Sequence, residues 1–268
     1  MKVALVQMDS QADKARNVRK ALDFVRRAFL KKAEFVLLPE YFYFVGDITG
    51  AEEMRKIVEP VGGPTTEVFA ELARKFRGHV LLGSIYERIL GQNKAYNTSV
   101  LVGPSGKVLA TYRKRNLFHI RLPEKEIREG RVFAPGKTFK VVSVGEFKLG
   151  MSVCFDVRFP GLYDASARLG ANVFSIPSAF ARTTGKPHWE VLLRARAIET
   201  LSYILAPAQT GLNAEGVPCW GHSMIVDPWG QIVCQASQNN EEIVYGDIDL
   251  STVKKTRAVF PNYKCLKH

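Results

Sequence analysis

Four cysteines in 268 residues are too few, and too irregularly placed, to build a disulfide framework. Cys154, Cys219, Cys234 and Cys265 form no C-x-x-C pair, which removes the zinc-ribbon and thioredoxin-like classes and fits a reducing cytoplasm. His119, His188 and His222 are not spaced as metal ligands, so no metal is expected. The apolar run at residues 3–6 falls short of a signal-peptide core, and no later run is long enough for a bilayer span. A cytoplasmic protein with no membrane partner is the expectation.

No Pro/Gly/Ser-rich linker, change of composition, internal repeat or low-complexity segment divides the chain, so residues 1–268 read as a single domain. A chain of this length buries about three quarters of the surface its unfolded form exposes. With 46% apolar residues it needs no covalent staple. The net charge of +12 raises the question of a polyanionic partner. The basic residues are scattered, however, and the denser stretches at 26–32 and 113–115 lack the interleaved aromatics of a stacking platform. The sequence therefore reads as a solvated basic surface that attracts small anionic substrates, with no nucleic-acid partner.

Short apolar runs bounded by turn residues alternate with segments of helical period. Strands are predicted at 2–7, 35–38, 79–86, 96–102, 108–114, 147–153, 172–177, 204–209, 223–226, 232–235 and 244–248. Helices are predicted from residue 10 or 12 to 32, and at 65–77, 159–169 and 188–201. In the first helix Val18, Ala21, Leu22, Val25, Ala28 and Phe29 share one face. Helices alternate with strands early and strands cluster later, so mixed sheets between helical layers are expected, an α/β architecture.

Three polar residues stand at the ends of predicted buried strands: Glu40, Lys114 and Cys154. Ligands bind at the carboxyl ends of strands in open, helix-covered sheets, so the three can converge. On composition alone Cys154 behind Val153 reads as a small buried hydrophobe. The turn that follows, 155–160, argues instead for a side chain held up into a crevice, where a helix N-terminus and a lysine would favour thiolate. Glu40 precedes the aromatic run Tyr41-Phe42-Tyr43-Phe44, where partial desolvation raises a carboxyl pKa toward values useful for proton transfer. Alone it reads equally as a cap or an ion-pair partner. Lys114 lies in a basic cluster with Arg113 and Arg115, which read as solvated. Its compact ammonium suits an oxyanion and can also hold Glu40.

Leu38-Pro39-Glu40, Tyr112-Arg113-Lys114 with Leu117-Phe118, and Cys154-Phe155-Asp156-Val157-Arg158-Phe159-Pro160 resemble, in order and spacing, the three catalytic motifs of the nitrilase, or carbon–nitrogen hydrolase, superfamily. The likeness continues through Pro177-Ser178-Ala179-Phe180, residues 188–199 and residues 221–230. It implies a four-layer α-β-β-α sandwich of two mixed sheets flanked by helices, a site without cofactor or metal, and a homodimer joined through helices. It also implies a second glutamate ahead of Ala134-Pro135-Gly136; Glu129 matches best, with Glu124 and Glu126 close enough to leave the choice open. Asn116, His119 and Gly161 depart from the usual family residues and bear on the loops around the site.

The resemblance implies a cysteine-dependent amidase, with Cys154 as nucleophile, Glu40 as proton carrier, Lys114 and the Phe155 N–H at the oxyanion, and Glu129 orienting the others. Residues 188–199 and 208–211 resemble the deaminated-glutathione amidase branch, then the omega-amidase branch, both acting on carboxylate-bearing amides. Tyr41, Arg182 and Thr184 are the candidate substrate contacts. A different linear amide, carbamoyl compound or nitrile is the next reading. A catalytically silent interaction module is the alternative from another class, and it has no need of all three motif residues.

Overall fold

The computed structural model describes residues 1–48, 50–121 and 126–260. The chain opens with β1 (Lys2–Gln7), α1 (Lys14–Leu30), β2 (Phe35–Leu37), α2 (Ala51–Ile57), α3 (Pro64–Phe76), β3 (His79–Arg88), β4 (Ala95–Val102) and β5 (Val108–Arg113). Short strands β6 (His119–Arg121) and β7 (Glu126–Arg128) pair antiparallel. There follow β8 (Val141–Val144), β9 (Phe147–Met151), α4 (Pro160–Arg168), β10 (Val173–Ser175), α5 (Arg182–Thr200), β11 (Tyr203–Ala206), β12 (Met224–Val226), β13 (Ile232–Gln235), β14 (Glu242–Asp247) and α6 (Leu250–Val259).

Two six-stranded sheets form, in the orders β14-β1-β2-β3-β4-β5 and β13-β12-β11-β10-β9-β8. Each has a parallel centre, β1-β2-β3 and β9-β10-β11, with antiparallel strands on its flanks. The period of two decides the layering. Val3 and Leu5 of β1, with Phe35 and Leu37 of β2, enter the apolar cluster shared with the second sheet. Ala4, Val6, Val36 and Leu38 face the other way, onto Ala21, Val25 and Ala28 of α1 and Phe69 and Ala73 of α3. On the far side α4 and α5 cover the second sheet through Leu162, Ala167, Leu193 and Ala197. The result is the expected α-β-β-α sandwich, and strands buried on both faces explain why they read as unbroken apolar runs.

The departures from the expected elements have local causes. Helix α1 starts later, because the Asp13 carboxylate accepts from the Arg16 N–H at 2.9 Å and caps it there. Helix α5 starts six residues earlier than expected, at Arg182, with Pro187 inside it. A proline near an N-terminus reads as a helix start, but here the first turn is already set by the Gly185 N–H donating to the Ala181 carbonyl at 2.7 Å.

Candidate active site

Glu40, Lys114 and Cys154 each follow the carboxyl end of a strand, β2, β5 and β9 respectively, and the sandwich brings those ends to one cleft of about 530 Å³. Close backbone approach makes this possible. A Cβ on Gly83, inside β3, would lie 2.1 Å from the Leu38 carbonyl oxygen and 2.2 Å from that of Pro39, so only glycine lets the chain leading to Glu40 lie against β3. The chain then reverses at Tyr41, whose φ is +58°, with its N–H on the Ser84 hydroxyl. Lys114 is fixed by its N–H on the Asn97 carbonyl and its carbonyl on the Gly136 N–H, both 2.8 Å.

Cys154 opens a 3-10 turn, Cys154–Arg158, in the left-handed region with φ +48°. The Asp156 carboxylate holds that turn: it accepts from the Val153 N–H at 3.0 Å, the Tyr112 hydroxyl at 2.8 Å, and the N–H and side-chain amide of Asn116 at 2.9 and 2.8 Å. Asn116, a departure from the family pattern, thus ties the cysteine turn to the lysine segment. The Phe155 N–H has no acceptor among the described residues.

At the floor of the cleft the Lys114 ammonium donates to Glu40 Oε1 at 2.8 Å and lies 3.0 and 2.9 Å from Glu129 Oε1 and Oε2. The second Glu40 oxygen accepts from the Ala179 N–H at 2.9 Å. Glu129 also accepts from the Tyr41 hydroxyl at 2.5 Å and the Phe118 N–H at 2.6 Å. Glu126 is turned outward, pairing with His119 at 2.8 Å and with Arg121 and Arg131 at the surface. Glu124 lies outside the described residues. Of Glu126 and Glu129, it is Glu129 that meets Lys114 and Tyr41.

The two buried carboxyls are driven apart in acidity. Burial raises the pKa of Glu40, and the lysine only partly offsets this. Burial pushes Glu129 the same way, but Lys114, the Tyr41 hydroxyl and the Phe118 N–H together bring it below the usual carboxylate range. Burial works against the Lys114 ammonium too, yet Glu129 and Glu40 outweigh it and hold its pKa well above the ordinary value. Two carboxyls with split acidities are suited to two roles, one exchanging protons and one staying charged. The Cys154 thiol corrects the expected thiolate: burial first, then the Glu40 charge, push it well above its ordinary value despite Lys114. Its side chain is hydrogen-bonded with Glu40.

Of the candidate substrate contacts, Tyr41, Phe155 and Thr184 line the cleft. Arg182 does not. It is exposed at the start of α5 and its guanidinium faces the Gln238 side-chain amide. Arg128, Arg131 and Arg158 do line the cleft, and of these Arg158 lies four residues after the cysteine. It lies over the rings of Phe155 and Phe180 at 5.7 and 5.4 Å, and hydrogen-bonds His188 Nδ1 at 3.2 Å. Asn97 was also not foreseen. It is the first of three successive buried polar residues in β4, Asn97-Thr98-Ser99, and nothing in the sequence singles it out from the other two.

A model of the carbon–nitrogen hydrolase family matches residues 2–258. The chain is 38% identical to the deaminated glutathione amidase of Bos taurus over 269 residues, spanning 98% of this chain and 80% of that protein. It is 34% identical to the omega-amidase NIT2 of Homo sapiens, spanning 98% and 94%. Among solved structures, the NitFhit protein of C. elegans is similar with a TM-score of 0.91 at 35% identity over 98% of this chain, which spans 64% of that longer protein.

Proposed function

The chain belongs to the carbon–nitrogen hydrolase family, and from that premise we propose that it is a cysteine-dependent amidase converting a small carboxylate-bearing amide to acid plus ammonia or amine. The observation that carries this reading is the contact of one buried carboxylate, Glu40, with both the Cys154 thiol and the Lys114 ammonium in a cleft.

In the proposed reaction the Cys154 sulfur attacks the amide carbon while its proton passes to Glu40, whose raised pKa suits it to accept and return a proton. The amide oxygen becomes an oxyanion, held by Lys114 and the Phe155 N–H. Glu40 gives the proton to the amine as the carbon–nitrogen bond breaks, leaving a thioester. A water then loses a proton to Glu40 and adds to the thioester carbon. The carbon–sulfur bond breaks, the acid leaves, and the proton on Glu40 restores the thiol. Glu129 stays ionised and holds Lys114 in place.

The substrate carboxylate falls to Arg158 in this reading. Burial lowers its pKa, and no carboxylate partner offsets that among the described residues. A guanidinium that carries an uncompensated desolvation cost gains most from an anionic ligand. The names of the relatives fit this: an omega-amide of a keto-dicarboxylic acid or a deaminated-glutathione-like amide carries a carboxylate. Ammonia release is to be measured across omega-amides, peptide-like amides, carbamoyl acids and nitriles, expecting carboxylate-bearing amides to lead. Arg158→Leu should raise KM for those amides about tenfold or more while sparing an uncharged amide. Equal loss on both, or faster turnover of a nitrile or carbamoyl acid, overturns this assignment.

A cytoplasmic homodimer completes the proposal. Cys154, Cys219 and Cys234 are free thiols, and no helix among the described residues is long and apolar enough to cross a membrane. Val191 and Ile198 on α5 and Trp229 nearby leave 66%, 48% and 51% of their surface exposed, a patch that a second copy would cover. Light scattering is expected to give twice the chain mass, and Val191→Glu with Trp229→Glu to halve it.

A further inference from the structure

We propose that Asn97 is a positioning residue that holds Glu40 in line with Cys154 independently of Lys114. The proposal rests on the amidase reading above. Asn97 lies fully buried in β4, and its side-chain nitrogen is 2.9 Å from Glu40 Oε1, from the Tyr41 hydroxyl oxygen and from Glu129 Oε1. Lys114 Nζ also meets Glu40 Oε1 and Glu129 Oε1, at 2.8 and 3.0 Å, besides Glu129 Oε2 at 2.9 Å. The carboxylates are therefore bridged twice, once by a cation and once by a neutral amide.

The two bridges respond differently to the reaction. When Glu40 takes a proton it loses the charge that attracts Lys114, and the forming oxyanion competes for the ammonium. The amide N–H still finds a lone pair on Oε1, because its bond does not depend on a full charge. Lys114 is then free to follow the oxyanion while Glu40 stays in place to return the proton. The orientation of Asn97 is itself telling. Its side-chain carbonyl is buried without a partner among the described residues, and turning the amide over would set that carbonyl against two carboxylates.

Asn97→Leu keeps the branched outline and removes the donor but is bulkier and withdraws a hydrogen bond from two buried carboxylates, so its melting temperature is expected to fall modestly and kinetics are read on protein verified as folded. Its kcat is expected to fall about tenfold or more with KM little changed, since the substrate is not touched. A hydrogen bond to an ionised carboxylate lowers its pKa, so losing it raises that of Glu40. The acid limb of kcat/KM should therefore move to higher pH by roughly one unit. Asn97→Asp, of the same shape but adding a third carboxyl, should move the limb further in the same direction. Alkylation of Cys154 by iodoacetamide, followed by intact mass against pH, reads the same ionisation without turnover. Wild-type limbs in both folded variants, or an activity loss matching the unfolded fraction, overturns the role of Asn97. Wild-type turnover that survives Cys154→Ala would instead sink the amidase reading and leave the alkylation profile to judge Asn97.

Discussion

Replacing Cys154 with alanine is expected to remove amide hydrolysis altogether, a loss on the order of a millionfold, the size met when the nucleophile of a covalent hydrolase is deleted. The fold should survive. The side chain is small, alanine tolerates the left-handed φ of +48° about as well as cysteine does, and the turn around it is held by Asp156 rather than by the sulfur. The variant should therefore melt close to wild type while releasing no ammonia. Glu40→Gln should fall less, by about two to four powers of ten, because it deletes proton transfer and leaves the thiol and Lys114 in place. Mass spectrometry of a quenched wild-type reaction should find the acyl group on Cys154. An active Cys154→Ala protein, or acylation at Cys219 or Cys234 instead, would end the scheme. Serine is no substitute: its hydroxyl is far less acidic than a thiol, and burial already pushes the thiol up.

How the site was legible in the sequence follows from its geometry. Glu40, Lys114 and Cys154 are charged or reactive residues at the ends of apolar runs, and a strand buried on both faces leaves its first polar neighbour at the sheet's carboxyl edge. That is why a one-dimensional pattern could nominate three residues from two different sheets. Only the resemblance favoured Glu129 over Glu124 and Glu126, because nearby carboxylates on one charged segment are alike in residue type and pattern. The 3-10 turn Glu129–Arg131 directs Glu129 inward, while Glu126 keeps its partners at the surface. Arg182 was nominated where Arg158 lines the cleft, since the early start of α5 carries Thr184 to the cleft and Arg182 toward Gln238. The short elements α2, β6, β7, β8 and α6 escaped because three to ten residues carry too little periodicity. The upward push on the Cys154 thiol was not legible because burial and the Glu40 charge are properties of the assembled site.

Lys114→Met is expected to cost both rate and stability, and the pH dependence of the stability loss separates this from simple repacking. Removing one oxyanion donor lowers kcat by about two to three powers of ten. The lysine is also, among the described residues, the one cation between two carboxylates that are each almost wholly buried, with 1% and 7% of their side-chain surface exposed. Deleting one partner of such a group costs about 3–5 kcal/mol through the charges left behind. In the wild type the depressed pKa of Glu129 contributes stability that is present above its unfolded value of about 4.3 and is lost as pH falls through the lower folded value. The raised pKa of Lys114 contributes stability present below about 10.4 and lost only as pH rises through its higher folded value. Without the lysine both carboxyls are pushed upward and the folded variant binds protons that the unfolded chain has released. Its deficit is then greatest near neutrality and shrinks as pH approaches 4. Melting temperatures of the two proteins should converge on going from pH 8 to pH 5, whereas a constant gap would mean that lost packing, and not two stranded carboxylates, explains the variant.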